Sequence, residues 1–261
     1  MSNIHSKQIR VDELDVHYFT GGQGEPLIVI HGGGDGARAW KKNIEELSES
    51  YTVYVPDLPG FGGSQLGERD YYLPELVEFV EKFSRELGLE SFHLMGHSFG
   101  GGIALSYALK SPQKLKKLVL VSSMFLGREI ALWVRVLSIP AICRSTGKVA
   151  LAVLEGVKWV ADLILAPVKF VIPISRTSIN MGSTMSTLRE QATVMVNQLS
   201  ELMVPTLVVW GAKDPIVPAK HAYAAAELIP DCQVKVFEDC GHSVYRDRLQ
   251  EFSKLLTRFL G

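Results

Sequence analysis

The chain has 261 residues, of which 47% are hydrophobic and 21% are charged, and its formal net charge is −1 at pH 7. This composition excludes a disordered chain, and the length is sufficient to bury one sizeable α/β core. The near-neutral charge gives no electrostatic reason to expect a nucleic acid as a partner.

Cysteine usage and the N-terminus bear on the cellular location. The three cysteines, Cys143, Cys232 and Cys240, have no metal-binding or disulfide spacing, which favours a reducing compartment. Residues 1–7 lack the apolar segment of a signal peptide, and no uncharged apolar stretch reaches the ~18 residues that a membrane span needs. We therefore expect a cytoplasmic location and no membrane span.

Hydrophobic patterning predicts strands that alternate with helices. Two segments, 7–11 and 14–20, alternate in polarity and predict an antiparallel hairpin. The later elements are, in chain order, strand 26–31, helix 37–48, strand 51–55, helix 73–87, strand 92–95, helix 101–108, strand 118–121, strand 205–210, helix 218–228, strand 233–237 and helix 247–260. This order predicts an α/β fold with a mostly parallel eight-stranded sheet, flanked by helices.

Residues 123–202 interrupt this alternation, because they contain apolar helical stretches broken by prolines and glycines. We predict a helical cap, inserted after the sixth strand, above a core formed by 1–122 and 203–261. Ligands of open α/β sheets bind just beyond the strand carboxyl ends, where such a cap would lie. Ordinary packing helices are the alternative, and weak surface association through the cap is a second possibility.

The segment Gly96-His97-Ser98-Phe99-Gly100 matches G-x-S-x-G between a predicted strand and a predicted helix. A sharp turn there exposes the Ser98 hydroxyl, and the flanking glycines let neighbouring backbone approach. The helix N-terminus favours the negative charge of a developing alkoxide. Ser98 is therefore the predicted nucleophile, and the alternative is that small residues only allow the helix to pack on the strand.

A serine nucleophile needs a base, and the base needs an orienting acid. Among the seven histidines, His242 follows the last predicted strand, and Asp214 follows the strand before it. Because parallel strands end at one edge of the sheet, both side chains are expected near Ser98. We predict that these residues are catalytic. Asp239 competes weakly for the acid role, and Asp57 is expected to be structural.

The glycine-rich loop at residues 31–36 predicts an oxyanion hole. Its glycines let backbone N–H groups approach a substrate carbonyl without an intervening side chain. We expect the N–H of Gly33 to donate, with Gly34 as second choice, together with the N–H of Phe99. The loop lacks the spacing of nucleotide-binding motifs, and we expect no cofactor and no metal.

Taken together, these motifs resemble the α/β-hydrolase fold superfamily, in its serine-nucleophile branch. The segments that carry the resemblance are His31-Gly32-Gly33-Gly34, Asp57-Leu58-Pro59-Gly60-Phe61-Gly62, Gly96-His97-Ser98-Phe99-Gly100-Gly101, Trp210-Gly211-Ala212-Lys213-Asp214 and Cys240-Gly241-His242. The resemblance covers nearly the whole chain. It implies a triad of Ser98, His242 and Asp214, with Gly33 and Phe99 as oxyanion donors.

Within the superfamily, residues 31–40 and 59–62 are similar to the meta-cleavage C–C bond hydrolases of aromatic degradation. The chain has His97 where that group usually has asparagine, and Ser243 where it usually has tryptophan. These departures favour an ester-cleaving enzyme. Candidate substrate-binding residues of the cap are Trp133, Arg176 and Arg189. For each arginine the alternative is a solvated position on a cap helix.

The function that these motifs favour is that of a serine hydrolase cleaving a carboxylic ester with an apolar acyl or alcohol part. Hydrolysis of a C–C bond in a vinylogous diketone is an alternative that uses the same triad. A non-catalytic ligand receptor on the same fold is a third possibility. The expected partner is a small-molecule substrate, and nothing in the sequence specifies an oligomeric state.

Overall fold

A computed structural model describes residues 4–34, 36–67, 71–127, 129–130 and 195–261. The central sheet consists of β1 His5–Val11, β2 Leu14–Gly21, β3 Glu25–Ile30, β4 Tyr51–Pro56, β5 Phe92–His97, β6 Leu115–Val121, β7 Thr206–Gly211 and β8 Cys232–Phe237. Its spatial order is β1-β2-β4-β3-β5-β6-β7-β8.

The direction of the strands decides where the loops meet. Strands β1 and β2 form an antiparallel hairpin, and β2 pairs antiparallel with β4. All pairings from β4 to β8 are parallel. The predicted fold class, an eight-stranded and mostly parallel sheet flanked by helices, is confirmed. The loops after β3, β5, β6, β7 and β8 therefore leave the sheet at the same edge.

The described helices flank this sheet. They are α1 Lys41–Leu47, α2 Leu73–Glu86, α3 Phe99–Lys110, α4 Lys220–Leu228, α5 Val244–Asp247 and α6 Leu249–Leu260. One predicted helix differs in detail, because it begins as a 3-10 turn at Ala37–Trp40, and the short helix α5 was not predicted. The predicted bounds of the other helices agree to within two residues.

Helix α2 shows how the sequence fixes a helix start. The carboxylate of Glu75 accepts a hydrogen bond from the backbone N–H of Tyr72, at 3.0 Å, which satisfies one of the unpaired donors of the first turn. Pro74 lies in that first turn, where its missing N–H costs nothing. Apolar residues at helical spacing, including Val80 and Phe83, then form a buried face against the sheet.

The sheet separates two apolar cores. Along β3, Ile28 and Ile30 face one core, and Leu27 and Val29 face the other. The first core is covered by α2, α3 and α4, and the second by α1, α5 and α6. Because both faces are covered, the central strands are almost continuously apolar, as expected for a parallel sheet.

Most of the predicted cap insertion, 131–194, lies outside the described residues. At its start, residues 123–126 are buried against the core, and at its end Met195–Glu201 forms a 3-10 helix. The domain boundaries at 122/123 and 202/203 stay predictions.

Candidate active site

The predicted nucleophile lies on a tight turn between β5 and α3. The backbone angles of Ser98 are φ 54° and ψ −117°, a conformation that residues other than glycine rarely adopt. Its N–H donates to the carbonyl oxygen of Val121 at 2.9 Å, which ties the turn to the neighbouring strand β6. The residue is 9% exposed. The sharp strand-to-helix turn expected from G-x-S-x-G is therefore present.

Glycines allow three backbone segments to meet around this turn. A β carbon on Gly96 would collide with the backbone of Gly100, and one on Gly100 would collide with the carbonyl oxygen of Ile30. A β carbon on Gly32 would lie 3.2 Å from Cβ of Ser98. The absence of side chains at these positions thus places the 31–34 loop directly beside the serine.

The predicted base and acid are joined by a hydrogen bond. Nδ1 of His242, in the loop after β8, lies 2.8 Å from Oδ2 of Asp214, in the loop after β7. The other oxygen of Asp214 accepts from the backbone N–H groups of Ile216 and Val217 at 2.8 and 3.0 Å. This carboxylate therefore has a fixed orientation, with one oxygen reserved for the imidazole.

The Asp214 side chain is fully buried, with 0% of its surface exposed. Burial acts to raise the pKa of this carboxyl, but the hydrogen bond and charge of His242 and the two backbone donors outweigh it. The net effect is a pKa below the ordinary value for aspartate. Asp214 is therefore ionised at neutral pH and can stabilise a positively charged imidazole.

The Ser98 hydroxyl is not hydrogen-bonded to the predicted base. Among the described residues, none forms a hydrogen bond with this hydroxyl. His97, the residue before it, has its ring centroid 4.8 Å from that of His242 and its Nε2 3.0 Å from the His242 carbonyl oxygen. In unliganded enzymes catalytic hydrogen bonds are often long and tighten only with substrate bound.

The predicted oxyanion donors lie at the same edge of the sheet. Phe99 is the first residue of α3, so its N–H has no acceptor within the helix. Gly33 is half-buried in the loop beside Ser98, whereas Gly34 is exposed, and a β carbon added to it would have no described residue beyond its chain neighbours within 4 Å. The choice of Gly33 over Gly34 as the second donor stays a prediction.

Comparison with known proteins defines the family. Residues 25–171 and 172–249 match the sequence profile of the family described as alpha/beta hydrolase fold. The chain is also 32% identical to a dihydrolipoyllysine-residue acetyltransferase component of the acetoin cleaving system from Cupriavidus necator, over 96% of this chain and 68% of that relative.

The chain belongs to the alpha/beta hydrolase fold family.

Relatives named as hydrolases match along nearly their whole length. A 2-hydroxy-6-oxo-6-phenylhexa-2,4-dienoate hydrolase from Comamonas testosteroni is 27% identical, over 98% of this chain and 96% of its own. A solved structure of a 2-hydroxy-6-oxo-6-phenylhexa-2,4-dienoate hydrolase from Rhodococcus superposes with a TM-score of 0.78 at 23% identity, over 99% of both chains. The protein is an α/β-hydrolase enzyme.

A second Ser-His-Asp array lies away from the Ser98 turn of this hydrolase. Nε2 of His17 is 2.8 Å from Oγ of Ser6, and its Nδ1 is 2.7 Å from Oδ2 of Asp57. Ser6 lies within the edge strand β1, whereas Ser98 directly precedes a helix N-terminus, which favours a developing negative charge. Hydrogen-bond distances alone therefore do not distinguish a catalytic array from a structural one.

Asp57 has the structural environment that the sequence predicted. Besides His17, its carboxylate accepts from the backbone N–H groups of Ala37 and Gly63, at 2.7 and 3.0 Å. These bonds join the hairpin, the 57–63 loop and the 3-10 turn before α1. Asp57 thus fixes loop positions in the hydrolase core.

The aromatic residues that surround His97 were not predicted from the sequence. The rings of Trp40 and Tyr245 stack with centroids 3.9 Å apart, and the Tyr245 ring meets the His97 ring edge-on at 4.9 Å. Asn43 donates from Nδ2 to the backbone oxygen of Tyr245 at 3.0 Å. The sequence offered one signal for these contacts. His97 lies inside the nucleophile motif, and Tyr245 lies three residues after His242.

The substrate-binding candidates of the cap, Trp133, Arg176 and Arg189, lie outside the described residues. Across the ranges that are described, no group of three or more His, Cys, Asp or Glu side chains is placed to hold a metal ion. No described helix of the hydrolase has the length and hydropathy to cross a bilayer.

Proposed function

We propose that this hydrolase cleaves carboxylic esters with an apolar acyl or alcohol part, using Ser98, His242 and Asp214 as its catalytic triad. The observation that carries the proposal is the His242–Asp214 hydrogen bond, at 2.8 Å, next to a serine with a φ of 54°. Base, acid and nucleophile come from loops that follow three different strands of one sheet edge. Such an arrangement is what acyl transfer to a serine requires.

In the proposed reaction, the Ser98 oxygen attacks the ester carbonyl while Nε2 of His242 accepts the hydroxyl proton. Asp214 accepts the hydrogen bond from Nδ1–H and stabilises the imidazolium that forms. The C–O bond to the alcohol then breaks, and the imidazolium gives its proton to the leaving oxygen. An acyl-enzyme on Ser98 is the product of this half-reaction.

The negative oxygen of the tetrahedral intermediate is stabilised by the N–H groups of Phe99 and Gly33. The N-terminus of α3 adds a favourable dipole at the same point. In the second half-reaction, His242 takes a proton from water, the hydroxide attacks the acyl carbon, and Ser98 leaves with its proton restored. No cofactor enters either step of this scheme.

The proposal is tested by covalent labelling and by ester turnover. We expect a fluorophosphonate probe to label the wild type and a Ser6→Ala variant equally, and to leave Ser98→Ala unlabelled. Turnover of p-nitrophenyl esters of increasing acyl length should follow the same pattern. The Ser6→Ala variant is the matched control, because Ser6 belongs to the second Ser-His-Asp array, in which the serine is hydrogen-bonded to the histidine.

Equal ester turnover by wild type and Ser98→Ala would rule the proposal out. Labelling of Ser6 in place of Ser98 would assign the nucleophile to the other array.

Hydrolysis of a C–C bond is a second candidate for the same triad. Curated relatives at 27–28% identity include proteins named as 2-hydroxy-6-oxo dienoate hydrolases, and one of them matches over 98% of this chain. A ring-fission product of the dienoate class should then be cleaved with a higher kcat/KM than any p-nitrophenyl ester. If the kcat/KM for the ring-fission product is below that for the best p-nitrophenyl ester, the ester assignment is retained.

A further inference from the structure

His97 is a buried polar residue between the three parts of the proposed active site. It precedes Ser98 directly in the chain, and 6% of its surface is exposed. A β carbon on Gly32, in the proposed oxyanion loop, would come within 2.9 Å of its Nδ1. Its ring centroid lies 4.8 Å from that of His242. One imidazole thus contacts the nucleophile turn, the oxyanion loop and the base loop.

The hydrogen bond of His97 has a defined direction. Its Nε2 lies 3.0 Å from the backbone carbonyl oxygen of His242. A carbonyl oxygen can only accept, so Nε2 carries the proton and donates. His242 is therefore fixed at two points: its ring by Asp214 and its backbone by His97.

The packing around the ring leaves it little freedom to turn. The Trp40 ring meets it at a centroid distance of 6.2 Å and the Tyr245 ring at 4.9 Å, both in edge-type geometry. Tyr245 is in turn stacked on Trp40 and held by Asn43. These contacts keep Nε2 directed at the His242 carbonyl.

The ring is also uncharged. Burial lowers the pKa of His97 to about 3, and the nearby His242 acts in the same direction. A neutral donor does not repel the imidazolium that forms on His242 during acyl transfer. With a pKa of about 3 the ring is also a much weaker base than an ordinary imidazole, so its free Nδ1 is a poor acceptor for the serine proton.

We propose that His97 is a positioning residue, whose Nε2–H bond to the His242 carbonyl sets the distance of the catalytic imidazole from Ser98. This inference rests on the proposed triad. Misplacement of a catalytic group by about 1 Å can cost up to ~100-fold in rate. The residue next to the nucleophile would thus contribute to catalysis through the base, without touching the substrate.

A matched pair of variants isolates the hydrogen bond. Glutamine and methionine have nearly equal length, but only glutamine places an N–H donor where Nε2 lies. We expect His97→Met to lower kcat for p-nitrophenyl butyrate by about 10- to 100-fold with KM changed less than about twofold. His97→Gln should restore kcat to within about threefold of wild type. The rate of fluorophosphonate labelling should change in parallel.

Kinetics of the variants can overturn the inference. A His97→Met variant with wild-type kcat, or a His97→Gln variant as slow as His97→Met at equal thermal stability, shows that the bond does not position the base. Ser98→Ala is run beside them: if it is active, the proposed triad fails as well. If Ser98→Ala is inactive while His97→Met is fully active, only the role of His97 fails.

A measurement on the wild type does not depend on the folding of any variant. Long-range ¹H–¹⁵N correlation spectra of the labelled protein should show His97 as the neutral Nε2–H tautomer from pH 5 to pH 8. A neutral Nδ1–H tautomer, or a ring that becomes charged in this range, would exclude the donation to His242 and overturn the inference.

Discussion

At the residue scale, the surroundings of an aspartate decide its role, and two aspartates near the same histidine show this. Asp214 is fully buried, and its carboxylate is hydrogen-bonded to His242 and to two backbone N–H groups. Asp239, three residues before His242, instead pairs with Lys213, and both side chains are 69% exposed. An exposed ion pair of this kind contributes little, whereas a buried carboxylate can hold an imidazolium.

Asp214→Asn should therefore lower kcat for ester hydrolysis by about 10³- to 10⁴-fold with little change in KM, because the amide cannot stabilise a charged His242. Asp239→Asn is the control and should keep kcat within about twofold of wild type. Steady-state kinetics with a p-nitrophenyl ester would measure both. Comparable losses in the two variants would mean that the acid is not Asp214 alone.

At the element scale, the strand–turn–helix unit formed by β5, Ser98 and α3 depends on backbone proximity. Gly100 lies within α3, where helix propensity alone favours alanine over glycine by about 1 kcal/mol. The structure reverses this expectation, because a β carbon on Gly100 would collide with the carbonyl oxygens of Ile30 and His31. Close packing of α3 on the loop after β3 thus outweighs local propensity.

Gly100→Ala should lower the free energy of unfolding by about 2 to 3 kcal/mol, as expected for an overpacked interior. Gly34→Ala is the matched control: Gly34 is exposed, and apart from its chain neighbours no described residue lies within 4 Å of the added carbon, so the change should stay within about 0.5 kcal/mol. Urea unfolding followed by circular dichroism measures both. A stabilised Gly100→Ala variant would show that propensity dominates at this turn.

At the scale of the whole molecule, buried histidines make stability depend on pH. Burial lowers the pKa of His93, with a hydrogen bond to Glu25 partly opposing it, and burial lowers the pKa of His97 to about 3. In the unfolded chain a histidine has a pKa of about 6.5. Below that pH the unfolded state binds more protons than the native state, so stability falls as the pH falls.

The contribution of His97 can be measured as a difference between two proteins. From pH 7 to pH 4, wild type should lose stability relative to His97→Gln by about 1 kcal/mol for each pH unit below about 6.5. Urea unfolding at each pH gives the two free energies, and equal m-values would confirm that the same surface is exposed. A constant difference over this range would contradict the lowered pKa of His97. The titratable groups whose charges act on the pKa of His97 are His242, Asp214 and His31.

Much of the fold follows from local patterning. Side-chain polarity alternates with a period of two in 7–11 and 14–20, and 26–31 is a continuous apolar run. These patterns predicted β1, β2 and β3 to within two residues, because side-chain periodicity is a local property. The strand-to-helix turn at Ser98 was predicted from the spacing of its glycines in the same way. The first helix was predicted less accurately and the short helix α5 was missed, because a 3-10 start and a single helical turn depend on packing.

The sequence by itself determined the alternation of strands and helices, the residue types of the candidate site, and the sheet edge at which they lie. The choice of Asp214 over Asp239 as partner of His242 was predicted from the sequence, and the structure has the corresponding hydrogen bond. Only the tertiary structure revealed that Asp57 and His17 form a separate array, and that Nε2 of His97 lies 3.0 Å from the backbone oxygen of His242. The physical reason is range: periodicity acts between neighbours in the chain. A hydrogen bond between His97 and His242, 145 positions apart, exists only after the whole sheet has formed.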